Sequence, residues 1–491
     1  VRSDSARPAA FRPTDQHDLA PPGVTAKLRA NLDALAVLND CRGEARWATA
    51  DEQTVLARWS GWGSVPAVFD PDDDRHADER IELRRLLGTV EAWSQARRTT
   101  LNAHYTSADV AHAMWGAVSA LGVDCDVSVL EPGCGSGNFL GFAPEGIRLT
   151  GIELDRTTAE IARHLYGARA TIHTSGFEEL RVEDGAFDLT IGNVPFAKVT
   201  PHDPVHNRGR HALHNYFLIK SLHLTRPGGF VMALTSRYTM DARNPAVRRE
   251  IAGLADLVGA IRLPERAFAR SSGTDVVVDL VVLRRRPPGA EPAGPSWEHV
   301  APAPIDTADG AESLEVNEYY LAHPDRVLGD LAAARGMYRD HELTVVATGD
   351  LKAQLPEALA ALTSDAHAAG LAYVPAVRDT ATQPTQRRPA RGDFYLEHAQ
   401  DGSFVVNQRG DIAQLERGTP VTYRPRVAKD KRELAQLVGL RDAARRVLTV
   451  QVDGGSDERL DAAQRALDEV YRSYVRFYGP INRSSEARTG R

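Results

Sequence analysis

The chain has 491 residues, of which 42% are hydrophobic and 25% are charged, and its formal net charge is −7. This length and composition are typical of a globular protein with roughly two to four domains, each built around an apolar core. No apolar run approaches the roughly 20 residues that a membrane-spanning helix needs. The negative charge excludes a surface that binds polyanions over its whole extent, although it leaves room for a local basic cleft.

Cysteine usage and the N-terminus bear on the location of the protein. The three cysteines, Cys41, Cys125 and Cys134, show no spacing typical of a disulfide framework or a zinc site. They predict a reducing, cytoplasmic environment and no metal site. Residues 1–23 contain proline and arginine but lack the apolar core of a signal peptide, so we expect a disordered arm there.

Residues 24–100 are predicted to form a helical N-terminal segment. Leucines recur at helical spacing from residue 28 onwards, and residues 78–98 have the pattern of a charged amphipathic helix. Between them, the aspartate-rich stretch 70–74 matches no calcium-binding loop, which favours a solvated turn.

Strands alternate with helices over residues 101–286. The predicted strands are 127–131, 148–155, 170–173, 187–193, 230–235, 257–263 and 275–283, and the predicted helices are 109–121, 156–167, 216–225 and 245–258. This alternation predicts an α/β domain with a parallel, doubly wound sheet. In such sheets ligands bind at the carboxyl ends of the strands.

A glycine-rich loop follows the first of these strands. The strand ends at Glu131, and Gly133, Gly135 and Gly137 follow at alternate positions. Glycines allow a sharp turn and a close approach of the backbone to a ligand, and Glu131 is suited to pairing with a cationic group. Because Asn138 stands where a dinucleotide-binding loop has its third glycine, that fingerprint does not apply, and a tight structural turn is the alternative. Glu153, which ends the second strand, is predicted to accept the ribose hydroxyls of a nucleoside.

The turn Asn193-Val194-Pro195-Phe196 follows another buried strand. If a methyl donor lies over the glycine loop, an acceptor amine must be held with its lone pair aimed at the methyl carbon. The Asn193 amide oxygen and the Val194 carbonyl can accept the two protons of an aromatic amine, which orients it for in-line attack. Pro195 stiffens the turn, and Phe196 is suited to stack on an extruded base. Alone, the tetrapeptide would favour an ordinary turn.

The C-terminal third is less informative. Residues 287–304 have linker composition, and residues 305–491 are predicted to be a mixed α/β region. Its expected elements are a strand at 342–347, a hairpin over 394–406 around Asp401-Gly402, and two helices within 430–478. The basic face of the first of these helices favours a solvated surface over a nucleic-acid surface.

The order of motifs from about residue 102 to residue 286 resembles the N6-adenine DNA methyltransferases of the gamma class. The resemblance rests on His104-Tyr105-Thr106, Glu131-x-Gly-x-Gly-x-Gly-x-Phe139, Glu153, Phe177 and Asn193-x-Pro-Phe196. It implies a Rossmann-like class I sheet that binds S-adenosyl-L-methionine (SAM) and a duplex DNA substrate with a flipped adenine. A later stretch, 262–277, is similar to the methylase subunits of type I restriction systems.

The resemblance also implies roles for individual residues. Tyr105, Thr106, the glycine loop with Phe139, and Phe177 are expected to bind SAM, with Glu153 on its ribose. The catalytic turn of the family is Asn-Pro-Pro-aromatic, which implies Asn193 and the three residues that follow it. This chain departs from the family in two places: Val194 replaces a proline, and Gly176 replaces the aspartate that many members place before Phe177. The side-chain contact to the adenine amine of the cofactor is therefore missing or supplied elsewhere.

A wider resemblance covers nearly the whole chain. The loop Gly61-Trp-Gly63 and the ending Tyr471–Asn482 are similar to the methylase half of large phage- and plasmid-borne methylase–helicase proteins, some of which act in DNA defence or anti-restriction. No Walker A sequence occurs in the chain. A helicase or ATPase part is therefore expected beyond Arg491 or in another chain.

Two other functions remain open from the sequence. An RNA guanine or a protein glutamine amide also suits an Asn-x-Pro-aromatic turn, and a non-catalytic module could keep the same fold. The loop 200–215, with several histidines and arginines, favours a polymeric substrate through phosphate contacts, although a solvated loop explains it equally well.

Overall fold

The structure is a computed structural model, and it describes most of the chain. The described residues are 8–101, 106–124, 126–197, 199–265, 267, 277–307, 310–334, 342–375, 394, 402–407, 409–416, 419–423, 428–452 and 456–481. The chain forms two compact units, the first made of residues 1–202 and 206–378 and the second of residues 203–205 and 379–491.

The first unit begins with helices, as predicted, but the single helix expected over 78–98 is divided in two, because Gly88 ends the first part in a left-handed conformation. These are α1 (Val24–Gly43), α2 (Ala50–Leu56), α3 (Ala77–Leu87) and α4 (Val90–Arg98). The leucines of α1 that recur at helical spacing are buried, because this face packs into the core. Helix α2 begins at a capping box, in which Thr49 and Glu52 each bond the backbone of the other and satisfy N–H groups that the first turn leaves free.

Residues 8–23 differ from the expected disordered arm. The Phe11 amide donates to the Leu165 carbonyl at 2.8 Å, and the Gln53 side chain donates to the Ala9 carbonyl at 3.1 Å. Leu19 is fully buried. The composition of the arm predicted disorder because the arm holds few apolar residues. However, Leu19 is buried, Phe11 packs against the apolar core, and the Phe11 backbone is hydrogen-bonded.

A seven-stranded sheet forms the centre of the first unit. Its strands are β1 (Ser128–Pro132), β2 (Arg148–Glu153), β3 (Ala170–Thr174), β4 (Phe187–Asn193), β5 (Thr225–Ser236), β6 (Ala255–Arg262) and β7 (Val278–Arg285). Their order is β3-β2-β1-β4-β5-β7-β6. All pairs are parallel except those made by β7, which runs antiparallel to both β5 and β6. The predicted α/β class is confirmed, and β1, β2, β3 and β4 all end at the same edge.

Helices cover both faces of the sheet. They are α5 (Ala108–Ala120), α6 (Asn138–Phe142), α7 (Arg156–Tyr166), α8 (Leu213–Leu224), α9 (Tyr238–Asp241) and α10 (Ala246–Leu254). One apolar cluster joins α1, α5 and α7 to one face, and a second joins α8 and α10 to the other. Because both faces are covered, the strands are apolar on both sides, which is why they were recognisable as continuous apolar runs.

The first unit continues beyond the linker that composition predicted at 287–304. Further elements are β8 (Val300–Thr307), β9 (Gly310–Asn317), α11 (Glu318–Ala322), β10 (Asp330–Ala334), β11 (Glu342–Val346) and α12 (Leu351–Ala368). The Ala293 amide donates to Asp256 at 2.9 Å, and Trp297 is buried. Proline-rich composition indicated a linker here, but this segment is hydrogen-bonded to the sheet, and the division between the units falls near residue 378.

The second unit contains a small sheet and two long helices. These are β12 (Phe404–Val406), β13 (Ile412–Glu416), β14 (Thr419–Thr422), α13 (Ala428–Val452) and α14 (Asp457–Tyr478). An antiparallel bridge joins Phe394 to Asn407, in agreement with the hairpin expected over 394–406, and β12 pairs in addition with β13. Residues 395–401 lie outside the described residues. The buried Tyr474 hydroxyl donates to Glu433 at 2.9 Å and joins the two helices. Among the described helices of the chain, none is long and apolar enough to cross a membrane.

Candidate active site

A cavity of about 520 Å³ opens at the carboxyl edge of β1, β2, β3 and β4. Its walls come from the ends of these strands and from the loops that follow them, since the register of parallel strands aligns these ends. Ten of the predicted site residues line it: Thr106, Glu131, Gly133, Gly135, Phe139, Glu153, Phe177, Asn193, Val194 and Pro195. The glycine loop and the Asn193 turn, which are separated by about sixty residues of sequence, therefore share one cavity.

The glycine loop needs glycine for its backbone conformation. Gly133, Gly135 and Gly137 have φ of 74°, 56° and 96°, a region that residues with a Cβ rarely adopt. At Gly133 a Cβ would stand 3.7 Å from the Phe217 ring. Gly137 does not line the cavity; a Cβ there would stand 2.6 Å from the Tyr166 ring, so this glycine lets the loop pack on α7.

Glu131 is the most deeply buried acid of the cavity. It is 3% exposed, and its Oε2 atom has no hydrogen-bond partner. Burial raises the pKa of Glu131 well above its ordinary value, and the nearby charge of Glu153 raises it further. A buried carboxylate oxygen without a partner is unfavourable, so this position favours a ligand that brings a positive charge.

The Glu153 carboxylate is hydrogen-bonded to the backbone of the glycine loop. Its Oε2 accepts from the Gly135 amide at 2.9 Å and its Oε1 accepts from the Asp155 amide at 2.7 Å. Burial raises the pKa of Glu153 to about 7. Each carboxylate oxygen has a second lone pair, so both remain able to accept hydroxyl donors from a ligand.

The Asn193 turn is anchored to the neighbouring strand. The Val194 amide donates to the Leu234 carbonyl at 3.0 Å, which extends the pairing of β4 with β5 past the strand end. A Cβ on Gly192 would stand 3.4 Å from the Glu131 side chain, so the two strand ends are close neighbours. Phe196 does not line the cavity; it is partly exposed and packs against the edges of both apolar clusters.

The remaining predicted residues form apolar and backbone walls. The Thr106 carbonyl accepts from the Asn138 side chain at 2.8 Å, which ties the start of α5 to the glycine loop. The Phe177 ring lies 4.8 Å from the Phe217 ring, so one face of the cavity is aromatic. Tyr105, together with the neighbouring His104, lies outside the described residues.

The N-terminal segment contributes a wall of the cavity that the sequence did not predict. Gly61, Gln95, Arg98 and Thr99 line the cavity. This wall is held by the Trp59 indole, which donates to the Thr158 hydroxyl at 3.1 Å. The glycine–tryptophan loop was noted only as a resemblance, and nothing in the amphipathic pattern of α4 marks its last residue as part of a site.

The cavity is acidic. Its lining includes four carboxylate residues, Glu131, Glu153, Asp155 and Glu178, and the one lysine or arginine in that described lining is Arg98. This charge favours a cationic ligand over an anionic one such as a dinucleotide.

The side chains of the histidine-rich loop 200–215 contact other protein groups. No group of three or more metal-binding side chains occurs among the described residues. His211 contacts Glu250 at 2.7 Å, and burial lowers the pKa of His214 to about 4. A histidine that stays neutral near pH 7 cannot attract phosphate by charge, so His214 does not support the predicted phosphate contact.

Residues 130–205 match the family model described as "Methyltransferase domain". The matched range begins in β1, includes the glycine loop and Glu153, and extends past the Asn193 turn. No curated protein matches the chain.

Several solved structures overlap parts of the chain. One, described as a class I S-adenosylmethionine-dependent methyltransferase from Listeria monocytogenes, has 16% identity and a TM-score of 0.35 over 56% of this chain and 94% of that one. A modification subunit of a type I restriction enzyme from Vibrio vulnificus has 18% identity and a TM-score of 0.32 over 44% of this chain and 55% of that one. A type I restriction-modification methyltransferase subunit from Streptococcus thermophilus has 16% identity and a TM-score of 0.33, and covers 54% of this chain and 67% of that one. TM-scores this low carry no information about which molecule accepts the methyl group.

The sheet order, the glycine loop and the family match together confirm the Rossmann-like class I fold of a SAM-dependent methyltransferase. Its cofactor is SAM. The cavity fits this cofactor, because a zwitterion with a sulfonium and an ammonium group suits an acidic pocket whose deepest carboxylate has an oxygen without a partner.

Proposed function

We propose that this protein methylates the N6 amine of adenine in DNA. The observation that carries the proposal is that Asn193, Val194 and Pro195 line the same cavity as Glu131 and the glycine loop. An amine acceptor held at the turn would therefore lie beside the cofactor.

The chain's own residues would hold the cofactor in three places. Glu131 would pair with the ammonium group, Glu153 would accept the ribose hydroxyls, and the aromatic wall at Phe177 would pack against the base. Backbone atoms of the glycine loop, together with Thr106 and Phe139, would close the remaining sides. For Tyr105, SAM binding is proposed from the motif resemblance alone. When bound, SAM supplies an electrophilic methyl group.

The Asn193 turn would orient the acceptor. The Asn193 amide oxygen and the Val194 carbonyl would accept the two amine protons, which favours a tetrahedral nitrogen with its lone pair directed at the methyl group. The family proline is absent at position 194, but the carbonyl it would contribute is a backbone group and is retained in valine. The amide of Val194 is fixed by Leu234, which replaces part of the rigidity that a proline gives.

Phe196 would support the extruded base from outside the cavity. It is the last residue of the turn and is partly exposed. Stacking of a base on such a ring contributes roughly 1–3 kcal/mol, enough to offset much of the loss of stacking in the duplex.

The decisive experiment is transfer of labelled methyl groups from SAM to duplex DNA. We expect transfer by the wild-type chain and a loss of about 10²–10³-fold in kcat for Asn193→Ala, the range found when one positioned hydrogen-bonding group is removed. Val199→Ala is the control, because Val199 is an exposed residue of the following loop. Binding of S-adenosylhomocysteine (SAH) to both variants reports that they are folded.

Other acceptors are outcomes of the same experiment. Equal transfer by wild type and Asn193→Ala would contradict the role of the turn. Labelling of RNA or of a glutamine-containing protein in place of DNA would select the other enzymatic function, and SAH binding without transfer to any acceptor would indicate a non-catalytic module.

The biological setting is proposed from the motif resemblance. We infer a role in phage- or plasmid-borne DNA modification or defence, with a helicase or ATPase part supplied by further sequence or by another chain. Comparison of N6-methyladenine in genomic DNA with and without the protein would test this setting.

A further inference from the structure

The second unit has a pocket of its own, where α13 begins and α14 ends. Its volume is about 620 Å³, within the range of roughly 300–1,000 Å³ that is typical of small-ligand sites. We call it the C-terminal pocket, and its lining residues are Gly410, Lys431, Arg432, Ala435, Gln436, Phe477 and Tyr478. None of these residues takes part in the function proposed above.

The described lining of the C-terminal pocket is positively charged. Lys431 and Arg432 belong to it, and no aspartate or glutamate of the described lining faces them. Lys431 is 3.6 Å from Asp411, whereas Arg432 is exposed and pairs with no carboxylate among the described residues. The Arg476 guanidinium adds a third positive charge, 5.9 Å from the centre of the Phe477 ring. Although the whole chain is negatively charged, this surface therefore attracts anions.

Two aromatic rings form the apolar side of the C-terminal pocket. Phe477 is 67% exposed, and the ring of Tyr478 lies 6.5 Å from the Phe477 ring. Tyr478 also packs on the buried Tyr474 at 5.3 Å, and the Tyr474 hydroxyl donates to Glu433 of α13. The rings therefore lie on a helix end that is fixed to its neighbour. Exposed rings next to positive charges are suited to stack on the bases of an unpaired strand.

Gln436 supplies a polar group to the C-terminal pocket. Its Oε1 atom has no hydrogen-bond partner and is covered by protein. An acceptor with neither water nor a protein partner is unfavourable, and the terminal amide of glutamine rotates easily, so it can turn toward a ligand that brings an N–H donor. Each DNA base carries such a donor on its Watson–Crick edge, which is accessible when the base is unpaired.

We propose that the C-terminal pocket binds single-stranded DNA. The bases stack on Phe477 and Tyr478, and an unpaired base edge donates to Gln436. The phosphates contact Arg432 and the neighbouring cations. Duplex DNA fits less well, because its bases are stacked on one another and their edges are paired. The sequence favoured a solvated surface for the basic face of α13, since it does not show that the rings of α14 lie beside this face.

The test measures the binding of a fluorescently labelled oligothymidylate to the full-length chain by anisotropy. A length of about 15 nucleotides matches the larger sites of single-strand-binding domains. We expect Phe477→Ala to weaken binding about fivefold or more, as for the loss of one stacked base, and Phe477→Tyr to keep the affinity. Tyr471→Ala is the matched control, because Tyr471 is an exposed aromatic residue of the same helix and does not line the pocket.

The phosphate contact is tested separately by the salt dependence of binding. In Arg432→Gln the slope of log K against log salt concentration should fall by about 0.7, the value for one phosphate contact to a single strand. Arg465→Gln is the control, because Arg465 is an exposed arginine of α14 outside the pocket, and it should keep the wild-type slope.

Three results would overturn the inference. An unchanged affinity in Phe477→Ala would show that no base stacks there. Thymidine monophosphate that binds as tightly as the oligonucleotide would indicate a site for a free nucleotide, and equally effective competition by polyglutamate would indicate an acidic protein partner. The probe contains no adenine and no SAM is added, so a failure of the proposed methyl transfer would leave the expected binding intact.

Discussion

Two carboxyl groups at neighbouring strand ends determine the electrostatics of the cavity. Burial raises the pKa of both Glu131 and Glu153, and the charge of Glu153 raises the pKa of Glu131 further. The sequence predicted both residues as ligands because each acid ends a strand. It did not predict that the Glu153 carboxylate also binds the amides of Gly135 and Asp155, since this depends on how the two loops approach each other.

These carboxyl groups make cofactor binding depend on pH. Ionised Glu131 and Glu153 bind an ammonium group and hydroxyls best, so the affinity for SAH should rise as pH increases from about 5.5 to 7.5, by up to about tenfold per unit. Calorimetry in buffers of different ionisation enthalpy should detect proton release on binding near pH 6.5. Glu153→Gln should flatten this dependence, and an affinity that is constant over this range would contradict the prediction.

Without SAH, the stability of the folded chain should fall as pH rises, whereas the affinity for SAH should increase. The pKa of Glu153 in the folded chain, about 7, lies above its unfolded value, so its contribution to stability is complete at low pH. That contribution is lost as pH rises through about 7, and it should be recovered when SAH is added.

At the scale of elements, most strands and helices were predictable and several boundaries were not. The buried strands of the sheet are continuous apolar runs, and the helices have apolar residues at helical spacing, both of which are local signals. The β8–β9 hairpin was missed because proline-rich composition covers its start. The forward pairing of β12 with β13 was also missed, because the choice of a strand partner is not a local property.

The junction of β1, the glycine loop and α7 should be intolerant of a single added methyl group. Gly137→Ala would place a Cβ at positive φ and 2.6 Å from the Tyr166 ring. We expect a loss of about 2–4 kcal/mol in the free energy of unfolding. Chemical denaturation of this variant and of Gly116→Ala measures the effect.

Gly116→Ala is the matched control for this prediction. Gly116 lies in α5 with nothing near the position of its Cβ, so alanine there should be neutral or stabilising by up to about 1 kcal/mol. A wild-type stability for Gly137→Ala would show that the loop and Tyr166 are not packed as described.

At the scale of the whole molecule, a buried ion network joins the sheet to the elements that follow it. Arg262 in β6 binds Asp279 in β7 at 2.8 Å and Asp241 in α9 at 2.8 Å, and all three side chains are inaccessible to solvent or nearly so. The backbone amide of Asn317 donates to the Asp241 carboxylate at 3.0 Å, which connects β9 to the same network. The network therefore links the sheet to residues that follow it within the same unit.

Removal of one partner from this network should destabilise the first unit strongly. Asp279→Ala leaves Arg262 with an incompletely compensated buried charge, for which about 3–5 kcal/mol is typical. Denaturation monitored by tryptophan fluorescence measures the loss. The double change Arg262→Met with Asp279→Leu should cost less than Asp279→Ala alone, and a larger loss in the double variant would argue against this account.

The sequence by itself determined the α/β class, the order of strands along the chain, the glycine loop and the Asn193 turn. These follow from short-range patterns of apolar residues, glycine and strand-terminal polar groups. Only the tertiary structure decided that the N-terminal segment supplies a wall of the cavity and that Gly137 faces Tyr166 and not the cavity. The physical reason is that these features depend on which side chains, distant in sequence or displaced by a turn, occupy the same volume once both faces of the sheet are packed.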